Sequence, residues 1–490
     1  MKRLQPRLWV VTCTLALTFG YFYPGGGWNQ NSRLDLTRAI VEERTFRIDS
    51  FHDNTGDKAY FEGHYYSDKA PGLSLLAVPV WAVAREAARL LGKDPNSSRS
   101  VNTGLHVMTL AVVGLPTALA AACMLSLSLK FGSSISGATV GALAFGVGTP
   151  MWCYATLFWG HATAAAFLVF AFAAAIRLHD AGTRKQMLVT ALALGVTAGW
   201  ATVVEYPSAI PASIIALLGI RGAARHDRSS LLATTVGIAG GALVSLFALI
   251  SYTVAAFGSP FHVGYLYEVN FQQEITRGIL GFGIPPWNVI RQLLVGWHRG
   301  LLFLSPFLIV APIGLYYMWR RTSFEVATVV VAVIPLYYLL LASSFNAWEA
   351  GWTFGPRYMS PALPFLCLPI AALWPRVGTV GRAILWSLIV YGAVLSFIAV
   401  STSPTPPDSY ERPLQEFLWP AFVAGRVPAV PVPNSWNLGN LAGLKGHTAL
   451  LPLLLLWAVA FIVCRRLERY VQLDTERGIA PSRYRPAGVL

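Results

Sequence analysis

The feature that most constrains this chain is a series of apolar runs, each long enough to cross a lipid bilayer. About 20 helical residues span the roughly 30 Å hydrocarbon core of a membrane. Of the 490 residues, 55% are hydrophobic and only 12% are charged. Helices and closed barrels are the structures that satisfy every backbone polar group inside a bilayer. The pattern therefore predicts an all-α polytopic membrane protein and excludes a soluble enzyme.

The positions of the basic residues predict how the spans are oriented. The formal net charge is +14, but Lys and Arg are distributed over short loops and form no single basic face, so we expect no nucleic-acid partner. Lys2, Arg3 and Arg7 precede the first apolar run and place the N-terminus in the cytoplasm. Pairing each later run with its flanking charges gives about 12 transmembrane helices with both termini inside.

This topology divides the chain into four parts. They are a first span at 1–24, an external catalytic loop carrying amphipathic helices at 25–103, a multi-span domain at 104–464 and a cytoplasmic tail at 465–490. Further external loops are expected at 257–300, 343–359 and 402–448. The polar motifs then fall at or near external ends of spans. A transporter more typically places charged residues near the midplane of broken helices, so the asymmetry favours an enzyme whose site opens at the outer leaflet.

The polar run from Gly25 to Gly72 is the main candidate for the site. We expect Ser32 to cap a helix that lies in the membrane interface with its charged face toward the site. Lys69 precedes a Pro-Gly turn, and a lysine fixed in this way suits a phosphate as a point charge. A carboxylate nearby suits deprotonation of an attacking hydroxyl. For any single residue, a solvated loop that stays out of the bilayer is the alternative reading.

Three polar residues in the later part of the chain also fall near external span ends. Glu205 adjoins an apolar span, where an acid is costly unless it faces a cavity or a partner. His161 is either a hydrogen-bonded packing residue or part of the site. Arg357 is either an anchor among interfacial aromatic residues or a phosphate contact. A planar guanidinium suits a phosphate because it can bind two of its oxygens at once.

The run YSDKAP, together with a first span and a long external loop, resembles the GT-C glycosyltransferases, in particular the protein mannosyltransferases and the lipid A aminoarabinose transferases. The stretch WTFGPRYMSPALPF is similar to one found in many bacterial members. The resemblance implies a polyprenyl-phosphate-linked sugar donor and transfer at the outer face of the membrane. It also implies that Lys69 contacts the donor phosphate and makes Arg357 a plausible second contact.

The chain departs from this family at the start of the first loop helix. Family members usually carry an Asp-Glu pair there, whose Asp is the expected catalytic base, whereas this chain has Asn29 and Gln30. An amide cannot accept a proton as a base. The candidates for the base are therefore Asp35, Asp57 and Asp68, and Asn29 becomes a candidate for binding the sugar.

The residues and the resemblance together predict a membrane glycosyltransferase of the bacterial inner membrane, with its site facing outward. The resemblance also implies that the transfer inverts the configuration at the anomeric carbon. The expected partners are a polyprenyl-phosphate sugar, an envelope glycan, lipid or protein acceptor, and the lipid bilayer. We expect no cofactor, and the spacing of the acids predicts no metal site. A flippase or transporter of lipid-linked sugars and a non-catalytic relative are the alternatives. The expected phosphate contacts are Lys69, Arg357 and Lys58, and the expected sugar or acceptor contacts are Asn29, Gln30, Arg33, His64, Tyr66, His161 and Glu205.

Overall fold

Apolar helices dominate the fold of this chain, of which a computed structural model describes residues 5–320, 322–429 and 435–476. Within these residues, eight helices are long and apolar enough to cross a membrane, and two further apolar helices are shorter, at Ile135–Gly146 and Pro306–Trp319. The predicted all-α polytopic fold is confirmed, whereas the number of twelve spans is not. The eight are Ser98–Lys130, Gly160–His179, Arg184–Val204, Arg228–Phe257, Glu325–Ser344, Arg357–Arg376, Thr379–Thr402 and Gly446–Leu467.

The individual elements alternate long helices with short helical turns. The α-helices are α1 (Gln5–Gly20), α2 (Trp28–Arg38), α3 (Gly72–Leu90), α4 (Ser98–Thr109), α5 (Leu115–Lys130), α6 (Ile135–Gly146), α7 (Met151–Ala155), α8 (Gly160–His179), α9 (Arg184–Val204), α10 (Ala209–Ala223), α11 (Arg228–Phe257), α12 (Gln272–Thr276), α13 (Trp287–Val295), α14 (Leu301–Leu304), α15 (Ala311–Trp319), α16 (Glu325–Ser344), α17 (Leu363–Leu373), α18 (Thr379–Thr402), α19 (Trp419–Val423), α20 (Leu438–Leu441) and α21 (Leu451–Glu476). The π-helical turns are Ala39–Glu43, Leu110–Gly114 and Leu414–Leu418. The 3₁₀ turns are His52–Asn54, Tyr206–Ser208, Gly264–Tyr267, Pro306–Val310, Thr322–Phe324, Arg357–Ala362, Trp374–Arg376 and Gly446–Leu450.

Two small antiparallel ladders complete the described part of the chain. The strands are β1 (Phe22–Tyr23), β2 (Lys58–Phe61), β3 (His64–Ser67) and β4 (Trp436–Asn437). Strand β2 pairs with β3 as a hairpin in the first loop, and β1 pairs with β4 near the other end of the chain. Residues that follow the first helix therefore form a ladder with residues that precede the last one.

Close approach between membrane helices depends on small residues, as is common where helices pack in lipid. Helices α9 and α11 cross at Gly195 and Gly241. A Cβ atom at Gly195 would lie 2.1 Å from the Ile238 carbonyl oxygen, and one at Gly241 would lie 2.3 Å from the Leu192 carbonyl oxygen. Larger side chains at these two glycines would separate the helices.

The chain ends differ in part from the expected boundaries. Helix α1 ends at Gly20, and Phe22–Tyr23 are extended as strand β1. At the other end, α21 continues to Glu476, past the expected start of the tail at 465. The tail residues 477–490 lie outside the described residues.

The expected cap of the first loop helix is wrong. Helix α2 begins at Trp28 with Gly27 as its N-cap, so Ser32 lies inside the helix and not before it. The Ser32 side chain is fully buried, and its hydroxyl donates to Asp68 Oδ1 at 3.2 Å and lies 2.8 Å from the Ser67 hydroxyl. The extended backbone of Gly27 starts the helix earlier than the pattern of polar and apolar residues indicates. Most of α2 is buried, its polar residues included.

The segment after α11, which the sequence predicts to be external, lies on the β2–β3 hairpin. Ala59 and Glu268 form an antiparallel bridge, and the Val269 amide donates to the Lys58 carbonyl at 3.0 Å. Gly264 is packed so closely on the hairpin that a Cβ atom there would lie 2.5 Å from the Ser67 carbonyl oxygen. The segment Gly264–Phe271 therefore covers the end of the hairpin from which the chain leads to Lys69.

Candidate active site

Lys69 lies between two carboxylates at the junction of the hairpin with α3. Its Nζ atom is 2.9 Å from Asp57 Oδ2 and 2.6 Å from Asp68 Oδ2. Asp57 directly precedes β2 and Asp68 directly follows β3, so the pairing of the two strands brings both acids to one lysine. Burial acts to lower the pKa of Lys69, but the two carboxylates outweigh it and raise that pKa above its ordinary value. The ammonium group therefore keeps its charge although it is largely enclosed.

Arg33 connects the first loop to the end of a membrane helix. Its guanidinium donates to Asn29 Oδ1 at 3.2 Å, to the Ala70 carbonyl at 3.1 Å and to Glu205 Oε1 at 2.9 Å. Asn29 lies one turn earlier on α2, and Glu205 is the residue that ends α9. Arg33 is 2% exposed, so this ion pair is enclosed and every partner matters.

His161 and Glu205 lie side by side at the ends of two membrane helices. His161 is at the start of α8, and its Nδ1 atom is 3.7 Å from Glu205 Oε1. The imidazole packs edge-on against the rings of Trp159 and Tyr358. His161 lies within electrostatic reach of Arg33, Lys69, Glu205 and Arg357, so these groups occupy one region.

Arg357 is a partly buried cation that packs against aromatic rings. Its guanidinium carbon is 4.9 Å from the Trp159 ring centre and 5.1 Å from that of Tyr358, and Nη2 donates to the Tyr358 hydroxyl at 3.3 Å. Within the described residues, its buried Nε atom has no hydrogen-bond partner and the side chain makes no ion pair with a carboxylate. Arg357 is therefore poised to bind an anion.

These charges form a single group, which we call the central cluster. Its members contact one another or lie within electrostatic reach of one another. They come from the first loop, the start of α8, the end of α9 and the start of the Arg357–Arg376 helix. The members of the central cluster are Arg33, Asp57, Asp68, Lys69, His161, Glu205 and Arg357.

Four of the predicted site residues have their side chains engaged elsewhere. The Asp35 side chain is fully buried, accepts from Asn54 Nδ2 at 3.1 Å, and has its pKa raised by burial to about 7. Lys58 Nζ contacts His52 Nδ1 at 2.9 Å, and the half-exposed His64 pairs with Asp49. Tyr66 packs against Phe257 in a small apolar core. Their predicted roles remain predictions.

The two amides at the start of α2 are both buried. Asn29 orients Arg33 through the hydrogen bond given above, and the Gln30 side chain packs beside Gly27, where a Cβ atom would lie 3.1 Å from Gln30 Oε1. Both face the protein interior and not the solvent. Their predicted contact with a sugar remains a prediction, and the direct role seen for Asn29 is to support Arg33.

Sequence reasoning missed two residues of the external segment, Tyr265 and Glu268. Each has a buried oxygen that lacks a hydrogen-bond partner among the described residues. Glu268 is within electrostatic reach of both Asp68 and Lys69. The signal for finding them was weak, because the segment lies almost 200 residues from Lys69 and reaches it through strand pairing that no local pattern shows. In the described residues, no group of three His, Cys, Asp or Glu side chains is arranged to hold a metal ion.

Fold and site together define a multi-pass integral membrane protein with a buried cluster of charges at the ends of its spans. The chain has the fold of ArnT from Cupriavidus metallidurans in the structure bound to undecaprenyl phosphate, with a TM-score of 0.53, 16% identity, and 94% of this chain and 74% of that chain covered. The apo state of the same protein gives a TM-score of 0.48 at 14% identity, over 94% of this chain and 74% of that one. No family model and no curated protein sequence matches the chain. The fold implied by the GT-C resemblance is thus confirmed.

Proposed function

We propose that this protein is a membrane glycosyltransferase that moves a sugar from a polyprenyl-phosphate donor to an acceptor at the outer face of the membrane. The observation that carries the proposal is the pair of partly buried cations, Lys69 and Arg357, at the ends of the spans of a chain with the ArnT fold. A lipid phosphate would place its charge at the ends of the spans and its tail among the helices. The solved ArnT structure contains undecaprenyl phosphate, which supports the same class of ligand here.

The two cations would bind the leaving group of the reaction. Arg357 has a free Nε atom, and an arginine fork binds two phosphate oxygens. Lys69 would supply a point charge beside it, with its direction fixed by Asp57 and Asp68. When the bond between the anomeric carbon and the phosphate oxygen breaks, negative charge grows on the phosphate. Cations placed before the reaction stabilise that charge without reorganisation.

The other members of the central cluster would hold Lys69 and Arg357 in place and line the binding site of the sugar. Arg33 and Glu205 tie the loop to α9, and His161 lies next to Glu205. Asp57 and Asp68 remain candidates for the base, although each is engaged with Lys69 in the structure. An inverting transfer, in which the acceptor attacks opposite the phosphate, fits one site that holds donor and acceptor together.

The proposal is tested by sugar transfer from a panel of radiolabelled undecaprenyl-phosphate sugars, using purified protein in nanodiscs. We expect turnover by the wild type and a loss of at least about 100-fold in Lys69→Ala and in Arg357→Gln. Lys93→Ala serves as the matched control for the lysine, since Lys93 lies exposed beyond the end of α3. It should leave turnover unchanged. Binding of the donors without transfer to any acceptor would favour a carrier or a non-catalytic relative.

A further inference from the structure

The external segment Gly264–Phe271 is fixed to the hairpin at several points next to the acids that bind Lys69. Glu268 forms a β-bridge with Ala59, and Asn270 Nδ2 donates to the Gly56 carbonyl at 2.7 Å. Gly56 and Ala59 are close in sequence to Asp57, while Gly264 packs on Ser67 and Asp68. The position of Glu268 beside the central cluster is therefore set by backbone contacts and not by a mobile loop tip.

The Glu268 carboxylate is oriented but only half satisfied. Its Oε2 atom accepts a hydrogen bond from the Phe271 amide. Its Oε1 atom is buried and has no partner in the described part of the chain, and the residue is 1% exposed. A buried carboxylate oxygen without a partner is costly, and such an atom in a site marks a position that a ligand group fills.

The other acids of the region have their own partners. Asp57 and Asp68 bind Lys69, and Glu205 binds Arg33. Asp35 also has an unpartnered oxygen, but its charged neighbours are Arg38 and Lys58 and not the central cluster. Glu268 is thus the acid near Lys69 that combines a fixed orientation with a free oxygen.

We propose that Glu268 is a catalytic residue of the transfer reaction, the base that accepts the proton of the acceptor. This inference rests on the proposed glycosyltransferase function. An acceptor hydroxyl or amine attacks the anomeric carbon, a new bond to that carbon forms, and the bond to the phosphate oxygen breaks. Polyprenyl phosphate leaves with the electron pair, and the acceptor proton moves to Glu268 Oε1, from which it is released to solvent after the product leaves.

The electrostatic environment of Glu268 suits this role. The pKa of Glu268 is raised to about 7, because burial and the charge of Asp68 outweigh the opposing effects of the Phe271 and Asn270 amides and of Lys69. The Tyr265 hydroxyl of the same segment is also within electrostatic reach of Glu268. A base with a pKa near the working pH combines an available ionised form with a strong tendency to take a proton.

The test is the turnover of Glu268→Gln with a natural acceptor and with azide. The Gln side chain keeps an oxygen that can accept from the Phe271 amide, so we expect the variant to fold and to bind undecaprenyl phosphate with an unchanged Kd. Its kcat should fall by about 10²- to 10⁴-fold, as is typical for loss of a general base. Azide is already ionised and needs no base, so formation of glycosyl azide should proceed in the variant at the wild-type rate.

A second variant and a matched control separate this role from a structural one. Glu268→Asp should lower kcat and retain the rise of activity with pH through about 7 that we expect for the wild type. Glu274→Gln, a change of the same kind in α12 just after this segment, should leave both the rate and the pH profile unchanged.

The possible failures are distinguishable. No turnover by the wild type with any donor would contradict the proposed function itself. Normal turnover by Glu268→Gln with a natural acceptor would overturn the assignment of Glu268 and leave the function standing. A Glu268→Gln variant that is inactive with azide as well would also overturn it, because the residue would then act on the donor or on the fold.

Discussion

Arg33 is the side chain that ties the external loop to the membrane helices. Its guanidinium reaches three partners in different parts of the chain, namely α2, the turn after Lys69, and the end of α9. No other type of side chain offers several donors in a fixed planar arrangement. The position of Lys69 therefore depends on a residue that does not contact it directly.

We predict that Arg33→Lys lowers both stability and turnover. A lysine cannot reach all three partners, and breaking an enclosed ion pair typically costs about 3–5 kcal/mol. The apparent melting temperature in nanodiscs measures the effect, with Arg89→Lys as the control, since Arg89 forms an exposed pair with Glu86. In a double-mutant cycle with Glu205→Gln, additive losses would contradict a coupled pair.

The buried carboxyl group of Asp35 makes the stability of the folded protein depend on pH. Burial raises its pKa to about 7, whereas an aspartate in an unfolded chain has a pKa of about 3.9. At a pH between these two pKa values, the Asp35 carboxyl group therefore keeps its proton in the folded state and loses it in the unfolded state. The stability from this group is present at low pH and is lost as the pH rises toward 7.

We accordingly expect Asp35→Asn to be more stable than the wild type at pH 8, because the amide never ionises. The gain should be about 2–4 kcal/mol, since each unit of pKa is worth about 1.4 kcal/mol, and it should shrink as the pH is lowered toward 5. Melting curves across this range measure it. Asp53→Asn is the control, since the side chain of Asp53 is 98% exposed. Equal melting of Asp35→Asn and wild type at pH 8 would contradict the prediction.

At the scale of elements, the site is built where strand pairing brings distant segments together. The β2–β3 hairpin brings Asp57 and Asp68 to Lys69, and the segment Gly264–Phe271 adds an acid from another part of the chain. The hairpin itself is held to α2 through Ser32. A short ladder can therefore position groups that a long polar loop would leave mobile.

We predict that Gly264→Ala reduces turnover by at least about tenfold, by moving this segment off the hairpin. The added Cβ atom would lie 2.5 Å from the Ser67 carbonyl oxygen and 2.9 Å from Asp68 Cα, closer than backbone atoms tolerate. Gly283→Ala is the matched control, because Gly283 also lies between α11 and α13 and no atom lies within 4 Å of its new Cβ. Transfer assays on both variants decide the matter, and equal rates would show that the contact is not needed.

The sequence predicted the helices better than the contacts between loops. Apolar runs give the spans directly, because every span obeys the same requirement of length and hydrophobicity. Glu205 stood out as a costly acid beside such a run, Lys69 by the Pro-Gly turn that follows it, and Arg357 by its place among aromatic residues. The structure brings all three into one region. Ser32 stood out only as a helix cap, a role that it does not have, and Glu268 did not stand out. Their surroundings depend on where a helix starts and on pairing between segments far apart in the sequence, which local patterns do not encode.

In the molecule as a whole, the charged side chains of the candidate site lie at one end of the spans. The central cluster uses the end of α9 and the start of α8, while basic residues such as Arg184 and Arg225 lie at the opposite ends of these or neighbouring helices. By the positive-inside rule, such basic ends are expected to face the cytoplasm. We therefore propose that the candidate site lies at the outer face of the membrane.

Cysteine labelling tests this orientation. Tyr60→Cys lies on the hairpin at a position that is 51% exposed, and Lys185→Cys lies exposed at the opposite end of α9. In intact cells, we expect a membrane-impermeant maleimide to label position 60 and to reach position 185 only after permeabilisation. The reverse pattern would mean that the orientation is inverted.

The affinity of the purified protein for undecaprenyl phosphate tests most directly whether Lys69 and Arg357 bind the phosphate of the donor. The account predicts saturable binding that Lys69→Ala and Arg357→Gln each weaken by at least about tenfold, since each removes a charge-assisted contact of about 1.5–3 kcal/mol. Lys93→Ala should bind as the wild type does. Equal affinity in all four proteins would show that Lys69 and Arg357 do not bind the phosphate and would contradict the proposed function.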